Sequence, residues 1–457
     1  MTFSSKPVTE HHALVGDEEH FEDEASFSED RDDHLAVAEA GWGRAYVVSI
    51  ASPDDPPFVR NARLAEILAL VRAKGDEVVG HEVRVVAHIV PRTLMGPGVC
   101  TQVRTAAASA KATFWVLDAE LSASQARNLE GATGLPVADR EGIILEVFKQ
   151  HARTRRARIQ VEIARLEYLR PRIRGLGLDM DQQTGGGGPL RGPGETASEL
   201  LARRLDDRLV ELRRASERWG RSDTTRRKAR SSARRAVLVG YTNAGKTSLM
   251  NALTGAALSA RDVPFETLDI TSRCLTRYGG DVLLSDTIGF IRRLPERLMA
   301  SFESTLAEVG EASLLVHVVD VSDPERSTHV KTTEEILTKL GAKDTPRLFV
   351  FNKVDRLGTL PALLCSALSR GHPYMTLSSF DANAVFELER RIVQMARSED
   401  VHARLFVPYE ATEVMAMIYG RCRVLEAWPV TKGVRFMLGG DPVNIVRVQN
   451  ALKRAQS

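Results

Sequence analysis

At 457 residues, with 43% hydrophobic and 27% charged, the chain has an ordinary soluble globular composition and a length of about three domains. Its cysteines, Cys100, Cys274, Cys365 and Cys422, are far apart and form no C-x-x-C, which excludes a disulfide framework and a cysteine zinc site. No apolar run is long enough to cross a membrane, and no basic flank precedes an apolar core at the N-terminus, so a cytoplasmic protein without a secretory signal is expected.

The net charge of +2 conceals a polarity along the chain. Residues 1–43 are acidic, with Asp17-Glu-Glu19, Glu22-Asp-Glu24 and Glu29-Asp30. They carry too little apolar surface to order themselves and read as a solvated tail. Residues 44–148 alternate strands and helices. Strands are predicted at Tyr46–Ile50, Val83–Val90, Ala112–Leu117 and Leu135–Ala138. A helix over Asn61–Ala73 carries the stripe Leu64, Ile67, Leu68 and Val71, and a second begins at the cap Ser122 and ends near Gly131. The pattern predicts a small α/β domain on a largely parallel sheet, with Pro91–Gly98 as an exposed loop.

Residues 149–232 are basic. A long helical pattern over residues 142–173 bears Ile159, Ile163, Leu166 and Leu169, and Pro171 marks its predicted end. A second helix over Thr196–Trp219 bears Leu201, Leu205, Leu209 and Leu212. Together they predict an antiparallel hairpin. Its connection, Gly175–Glu195, contains Gly185-Gly-Gly-Gly188 and leads into Arg191-Gly-Pro-Gly-Glu-Thr196. It is long for a helix–helix loop, which favours function or disorder. Arg153, Arg155, Arg156, Arg158, Arg170, Arg172, Arg174, Arg226, Arg227 and Lys228 suit either a solvated face or a nucleic-acid backbone; their number favours the latter. Residues 220–235 read as a basic linker.

Residues 233–400 read as a doubly wound α/β domain, with strands near Ala236–Val239, Asp281–Leu284, Leu314–Asp320, Arg347–Phe351 and Tyr374–Leu377. After the first strand come Gly240, Tyr241, Thr242, Asn243, Ala244, Gly245, Lys246 and Thr247. This is a P-loop in its strand–loop–helix setting. Glycines let the backbone N–H groups approach phosphates, Lys246 reaches the β- and γ-phosphates, and the Thr247 hydroxyl suits Mg²⁺. Asp286, Thr287, Ile288 and Gly289 follow the second strand; Asp286 can hold Mg²⁺ through water while the Gly289 N–H meets the γ-phosphate. Asn352, Lys353, Val354 and Asp355 end another strand. The Asp355 carboxylate can accept from the adjacent N1–H and N2 amino group of guanine, which adenine does not offer. The Lys353 stem covers the ring, and Ser378, Ser379 and Phe380 would support the base through backbone N–H groups. GTP and GDP are therefore the expected ligands.

Between these motifs lie Phe265, Glu266, Thr267, Leu268, Asp269, Ile270 and Thr271. A threonine here can complete the Mg²⁺ shell and make the loop a switch; Thr267 and Thr271 are rivals. Phe290 stands near where many GTPases place a water-orienting glutamine, and it has no donor or acceptor. Asn243 is read either as a ligand of a monovalent cation such as K⁺ or as a simple turn residue. The residues assigned to catalysis are Lys246, Asn243, Thr267 and Gly289.

The stretches Gly240–Leu249, Phe265–Asp269, Asp286–Pro295, Arg191–Thr196, Gln160–Leu169, Leu121–Leu129 and Asp139–Ile144 together resemble the HflX family of ribosome-associated GTPases, over roughly residues 44–457. The resemblance implies that Thr267 is the switch ligand of Mg²⁺ and that the large ribosomal subunit is the partner. It also implies that the Gly-rich tip reaches toward the peptidyl-transferase centre as the factor splits stalled or idle ribosomes. Ala197–Arg203 and Gly96-Pro-Gly-Val99 depart from the usual pattern. The alternative is a GTP-gated RNA-binding or assembly factor. Residues 401–457 read as a small α+β unit, with strands Arg404–Pro408 and Gly433–Met437 and helices Thr412–Tyr419 and Val443–Lys453. A monomer is expected.

Overall fold

Three sheets organise the chain, each built from β-rich apolar runs with helices on at least one face. The structure, a computed structural model, describes residues 43–173, 197–229, 234–256, 258, 264–266, 268, 271–278, 282–292, 294–357, 362–398 and 400–456. The acidic segment, the Gly-rich connection, Thr267 and Asp269 lie outside the described residues.

The first sheet holds β1 (Arg44–Ala51), β2 (Glu77–Val85), β3 (Phe114–Leu117) and β4 (Val137–Asp139) in the order β2-β1-β3-β4, all parallel. A parallel sheet is covered on both faces, and β3 is buried along its whole length. The Pro57–Ala73 helix presents Ile67, Leu68, Leu70 and Val71 to the interior. The Ala123–Thr133 helix starts from a capping box in which Ser122 and Gln125 satisfy each other's backbone N–H. Two expectations are corrected. The strand expected over Val83–Val90 begins at Glu77 and ends at Val85. The loop expected at Pro91–Gly98 holds a fully buried Met95 and passes into a helix, Pro97–Ser109. Pro97 pre-sets the first helical turn, and Cys100, Val103 and Ala107 form its narrow buried stripe.

The long pattern over residues 142–173 is two helices, Arg140–His151 and Arg155–Ile173. The backbone leaves helical geometry at Ala152, where ψ is 105°, and the Thr154 hydroxyl accepts from the Ala157 N–H to restart it. Pro171 lies inside the second helix's last turn and does not end it. The next helix is Ala197–Ala229, so most of the expected linker is helical. The ion pairs Glu167–Arg213 and Arg170–Asp206 run in opposite chain directions, which makes the two helices antiparallel.

The second sheet contains β5 (Arg234–Val239), β6 (Thr271–Cys274), β7 (Val282–Asp286), β8 (Leu314–Asp320), β9 (Arg347–Asn352) and β10 (Tyr374–Thr376), in the order β10-β9-β8-β5-β7-β6. Only β6 is antiparallel. It was not expected as a strand, because Thr271–Cys274 lies on the edge with two of its four residues exposed and shows no apolar alternation. The other strands run parallel, so the loops at the carboxyl ends of β5, β7, β8 and β9 gather on one rim, where such sheets bind ligands.

The third sheet is antiparallel, β11 (Val401–Pro408), β12 (Arg423–Val430) and β13 (Gly433–Gly440), in the order β11-β13-β12. The helices Thr412–Arg421 and Pro442–Gln456 supply Val414, Ile418, Ile445, Val448 and Leu452 to its core. β12 escaped the sequence reading because nearly all its side chains are exposed or half-exposed. Among the described residues no helix is long and apolar enough to cross a membrane.

Candidate nucleotide-binding site

The loop after β5 is shaped by three residues with positive φ, Gly240 at 149°, Asn243 at 62° and Gly245 at 92°. A Cβ on Gly240 would strike the Val318 carbonyl of β8, and one on Gly245 would strike the Asn352 amide. The loop is thus moulded against β8 and β9, and glycine is required where it touches them. Gly245 precedes the first turn of the Lys246–Thr254 helix, whose N–H groups give the loop its preference for anions.

Lys246 is buried, and its ammonium donates to the carbonyls of Gly240 (3.1 Å) and Tyr241 (2.9 Å). Burial pulls its pKa down to about 8, with Asp286 opposing the fall. The Thr247 hydroxyl donates to Asp286 Oδ2 at 2.7 Å. Asp286 is fully buried, and its Oδ1 accepts no hydrogen bond among the described residues. Burial raises the Asp286 pKa against Lys246, Thr247 and the Thr287 N–H. A buried carboxylate with an unsatisfied oxygen beside a hydroxyl fits a hard divalent cation. In this group Thr247, with Asp286 behind it, is the side chain that could hold Mg²⁺, and such an ion would supply positive charge to the β- and γ-phosphates.

Phe290 lacks a catalytic handle but has a structural one. Its N–H donates to the Gly240 carbonyl (3.0 Å), and its carbonyl accepts from the Thr242 N–H (2.7 Å). The ring lines a small apolar cavity together with Phe148, Ile288, Leu294, Leu298, Phe302 and Leu306. Thr287 is fixed beneath, its hydroxyl donating to the Leu238 carbonyl at 2.7 Å. A Cβ on Gly289 would meet Thr242 and the Lys246 ammonium, so the Gly289 backbone lies against the phosphate loop.

On the other side, Asn352 is a brace. Its amide donates to the Ala244 carbonyl (3.0 Å) and its oxygen accepts from the Ser379 N–H (3.1 Å). Lys353 adopts positive φ; its ammonium donates to the Asn243 carbonyl (2.7 Å) and pairs with Asp320 at 2.7 Å. Asp355 is exposed on a short 3₁₀ turn, Val354–Arg356, and Phe380 is 87% exposed. The Asp355 carboxylate and the Phe380 ring therefore both face water at the rim.

The segment before Thr267 is anchored outside the six-stranded sheet. Phe265 has a φ of 61° and sets its ring edge-on to Phe148 at 4.5 Å. Glu266 pairs with Arg153 at 3.4 Å, and Leu268 is buried.

Sequence reasoning missed the charged centre beside the loop. Glu66, on the Pro57–Ala73 helix, accepts from the Tyr241 hydroxyl (3.0 Å) and from two Arg292 nitrogens (3.0 and 2.8 Å), and it pairs with Arg140. Arg140 also binds Asp118 at 2.7 Å and the Arg292 carbonyl at 3.1 Å. The Tyr241 ring stacks on His329 at 3.6 Å. The only trace in the sequence was a glutamate next to the apolar stripe of that helix.

Three family models match in series. One described as "GTP-binding GTPase N-terminal" covers residues 61–149. "GTP-binding GTPase Middle Region" covers 151–230, and "50S ribosome-binding GTPase" covers 235–353. The GTPase HflX of Gluconacetobacter diazotrophicus is 43% identical over 345 residues, 74% of this chain and 74% of that protein. The chain belongs to the HflX family of GTPases. The GTPase HflX of Caldanaerobacter subterraneus subsp. tengcongensis is 35% identical over 395 residues, 86% of this chain and 89% of that one. A crystal structure of a GTP-binding protein from Sulfolobus solfataricus with GDP is 20% identical, covering 78% of this chain and 99% of that one, with a TM-score of 0.42. As an HflX-family GTPase, the protein binds GTP and converts it to GDP and phosphate.

The structure also gives several hairpin arginines partners within the protein. Arg172 donates to Asp139 at 2.7 Å and to the Leu121 carbonyl at 2.8 Å. Arg165 pairs with Glu146 at 3.2 Å, Arg170 with Asp206 and Arg213 with Glu167. The Arg158 Nε donates to the Ala152 carbonyl. Arg165, Arg170, Arg172 and Arg213 therefore hold the helices to neighbouring elements. The periodicity shows which face a residue occupies but not the acids across the interface.

Proposed function

We propose that this GTPase works on the large ribosomal subunit and couples GTP binding and hydrolysis to ribosome splitting or rescue. The observation that carries the reading is the match of residues 235–353 to the "50S ribosome-binding GTPase" model, in series with the two other models. In this reading the acidic segment is residues 1–43, the N-terminal α/β domain 44–148, the hairpin 149–232, the GTP-binding domain 233–400 and the C-terminal domain 401–457.

Lys246 and the backbone from Gly240 to Thr247 hold the phosphates. Thr247 and Thr267 ligate Mg²⁺, and Asp286 acts through water. Gly289 donates to the γ-phosphate, Asp355 reads guanine, and Asn352, Lys353, Val354 and Ser378–Phe380 shape the base site. Asn243 holds K⁺ against the phosphates. Phe265, Glu266, Leu268 and Asp269 form the switch around Thr267. The Phe148–Phe265 and Glu66–Arg292 contacts give residues 44–148 a grip on both nucleotide-sensing segments, so a change at the γ-phosphate would reach the hairpin.

The test is hydrolysis and sedimentation with purified large subunits and 70S ribosomes, in GTP and in GDP. The expected result is a faster rate with large subunits and conversion of 70S to subunits in GTP. An unchanged rate and an unchanged profile would reject the reading. The internal engagement of the hairpin arginines motivates a second one, a GTP-gated assembly factor. It predicts binding to precursor particles in preference to mature ones.

A further inference from the structure

The third sheet has one face packed on helices and one facing water. Val407, Phe436 and Leu438 point into its core. Their neighbours point outward, since successive side chains alternate. On the outward face of an antiparallel sheet of this kind, polar residues are the norm. Here Phe406 pairs with Arg435, and Arg435 pairs with Trp428 on the other side. Phe406 is 40% exposed and Trp428 45% exposed, and Arg435 is exposed between them. The row therefore reads aromatic, arginine, aromatic across the full width of the sheet, with the rings about 10 Å apart at two strand spacings.

The next rows add two arginines and one acid. Arg404 and Glu426 flank Met437. Beyond them, Arg423, His402 and Leu425 surround Gly439 closely enough that a Cβ there would touch all three. Arg423 is held by Asp400 at 3.7 Å. Among the described residues Arg404 and Arg435 make no ion pair, and Glu426 is the only acid on these rows.

We propose that this open face binds unpaired RNA, with two bases stacked on Phe406 and Trp428 and the intervening phosphate met by Arg435. Every base has a π-face that suits an exposed ring, and arginine complements the backbone between stacked bases. The charge is complementary to RNA, with Arg404 and Arg435 uncommitted against one carboxylate. The apolar atoms are divided by a guanidinium, whereas a protein interface centres on a continuous apolar patch. The face lies outside the nucleotide site, so the proposal stands or falls separately from action on ribosomes.

The experiment uses the full chain and a fluorescein-labelled single-stranded RNA of about ten nucleotides, a typical site length for such platforms, followed by anisotropy. Trp428→Ala and Phe406→Ala are each expected to weaken binding roughly tenfold, and Trp428→Phe to retain most of it. Arg435→Ala should reduce the salt dependence. Basal GTP hydrolysis and the melting temperature should not move. Ultraviolet crosslinks to the RNA should fall on β11 and β12. Wild-type affinity in Trp428→Ala would overturn the proposal, as would equal losses in Trp428→Ala and Trp428→Phe. So would a photo-reactive group at position 428 that captures ribosomal proteins and no RNA. Failure to bind large subunits while the oligonucleotide still binds through Trp428 would reject the ribosome reading and leave this one standing.

Discussion

The carboxylate of Glu66 accepts a hydrogen bond from the Tyr241 hydroxyl at 3.0 Å, so a helix packed on the first sheet holds the second residue of the phosphate loop. The same oxygen receives Arg292 from the segment after Asp286-Thr-Ile-Gly289. Glu66→Ala would leave Arg140 and Arg292 short of a buried acid, although Asp118 and Glu325 remain beside them. Breaking one partner of a buried pair costs about 3 kcal/mol. Urea unfolding of the variant should show a loss of that order, and its GTPase rate should change because both Tyr241 and Arg292 are released. Wild-type stability and rate would show that the contact is idle.

A pH dependence follows from the same residue. Burial opposes ionisation of Glu66, but Arg140 and Arg292 outweigh it and hold the pKa below its usual value. The stabilisation is present above the unfolded pKa of about 4.3 and is lost as pH falls through the lower folded value. Glu66→Gln should flatten the acid limb of the stability profile; an unaltered limb would assign it to other carboxylates.

Lys246 gives a second titration. In the nucleotide-free protein burial brings its pKa down to about 8. Phosphates favour the ammonium and would raise it. Binding of GDP near pH 9 should therefore take up close to one proton, and near pH 6.5 almost none from this group. Calorimetry in buffers of different ionisation enthalpy reads the uptake, and an uptake independent of pH would contradict the assignment.

In the proposed reading, base choice rests on Asp355. Asp355→Asn replaces an acceptor pair by one donor and one acceptor, which matches xanthine N1–H and its C2 carbonyl in place of guanine. GTP affinity should fall by about 10²-fold or more, at roughly 1.5–3 kcal/mol per charged hydrogen bond, and XTP should bind in its place. Retained GTP preference would move base reading elsewhere.

The proposed potassium role of Asn243 is open to a direct comparison. Its positive φ, 62°, is one asparagine tolerates, and Lys353 pins its carbonyl at 2.7 Å. Hydrolysis in K⁺ should exceed that in Na⁺, and Asn243→Ala should abolish the difference. Equal rates in the two salts would reduce Asn243 to a turn residue.

The candidate nucleotide site could be proposed from the chain because its chemistry is local. Gly240, Lys246 and Thr247 lie within one loop, Asp286 and Asn352 each end a strand of a repeating unit, and Gly289 and Asp355 follow three residues beyond them, so residue type and spacing carry the message. The parallel sheets and the hairpin were legible for the same reason, through period-2 and period-3.6 runs. Local pattern failed where burial is decided from afar. Met95 is covered by the first sheet's core, β6 and β12 take their form from hydrogen bonds to β7 and β13, and the arginines of the hairpin find acids on other elements. Glu66, Arg140, Tyr241 and Arg292 meet only after the chain has folded. A pairing energy between residues so far apart leaves no periodic mark on either segment. The chain by itself therefore determined which ligand the loop can hold; the tertiary structure alone decided which distant side chains grip that loop.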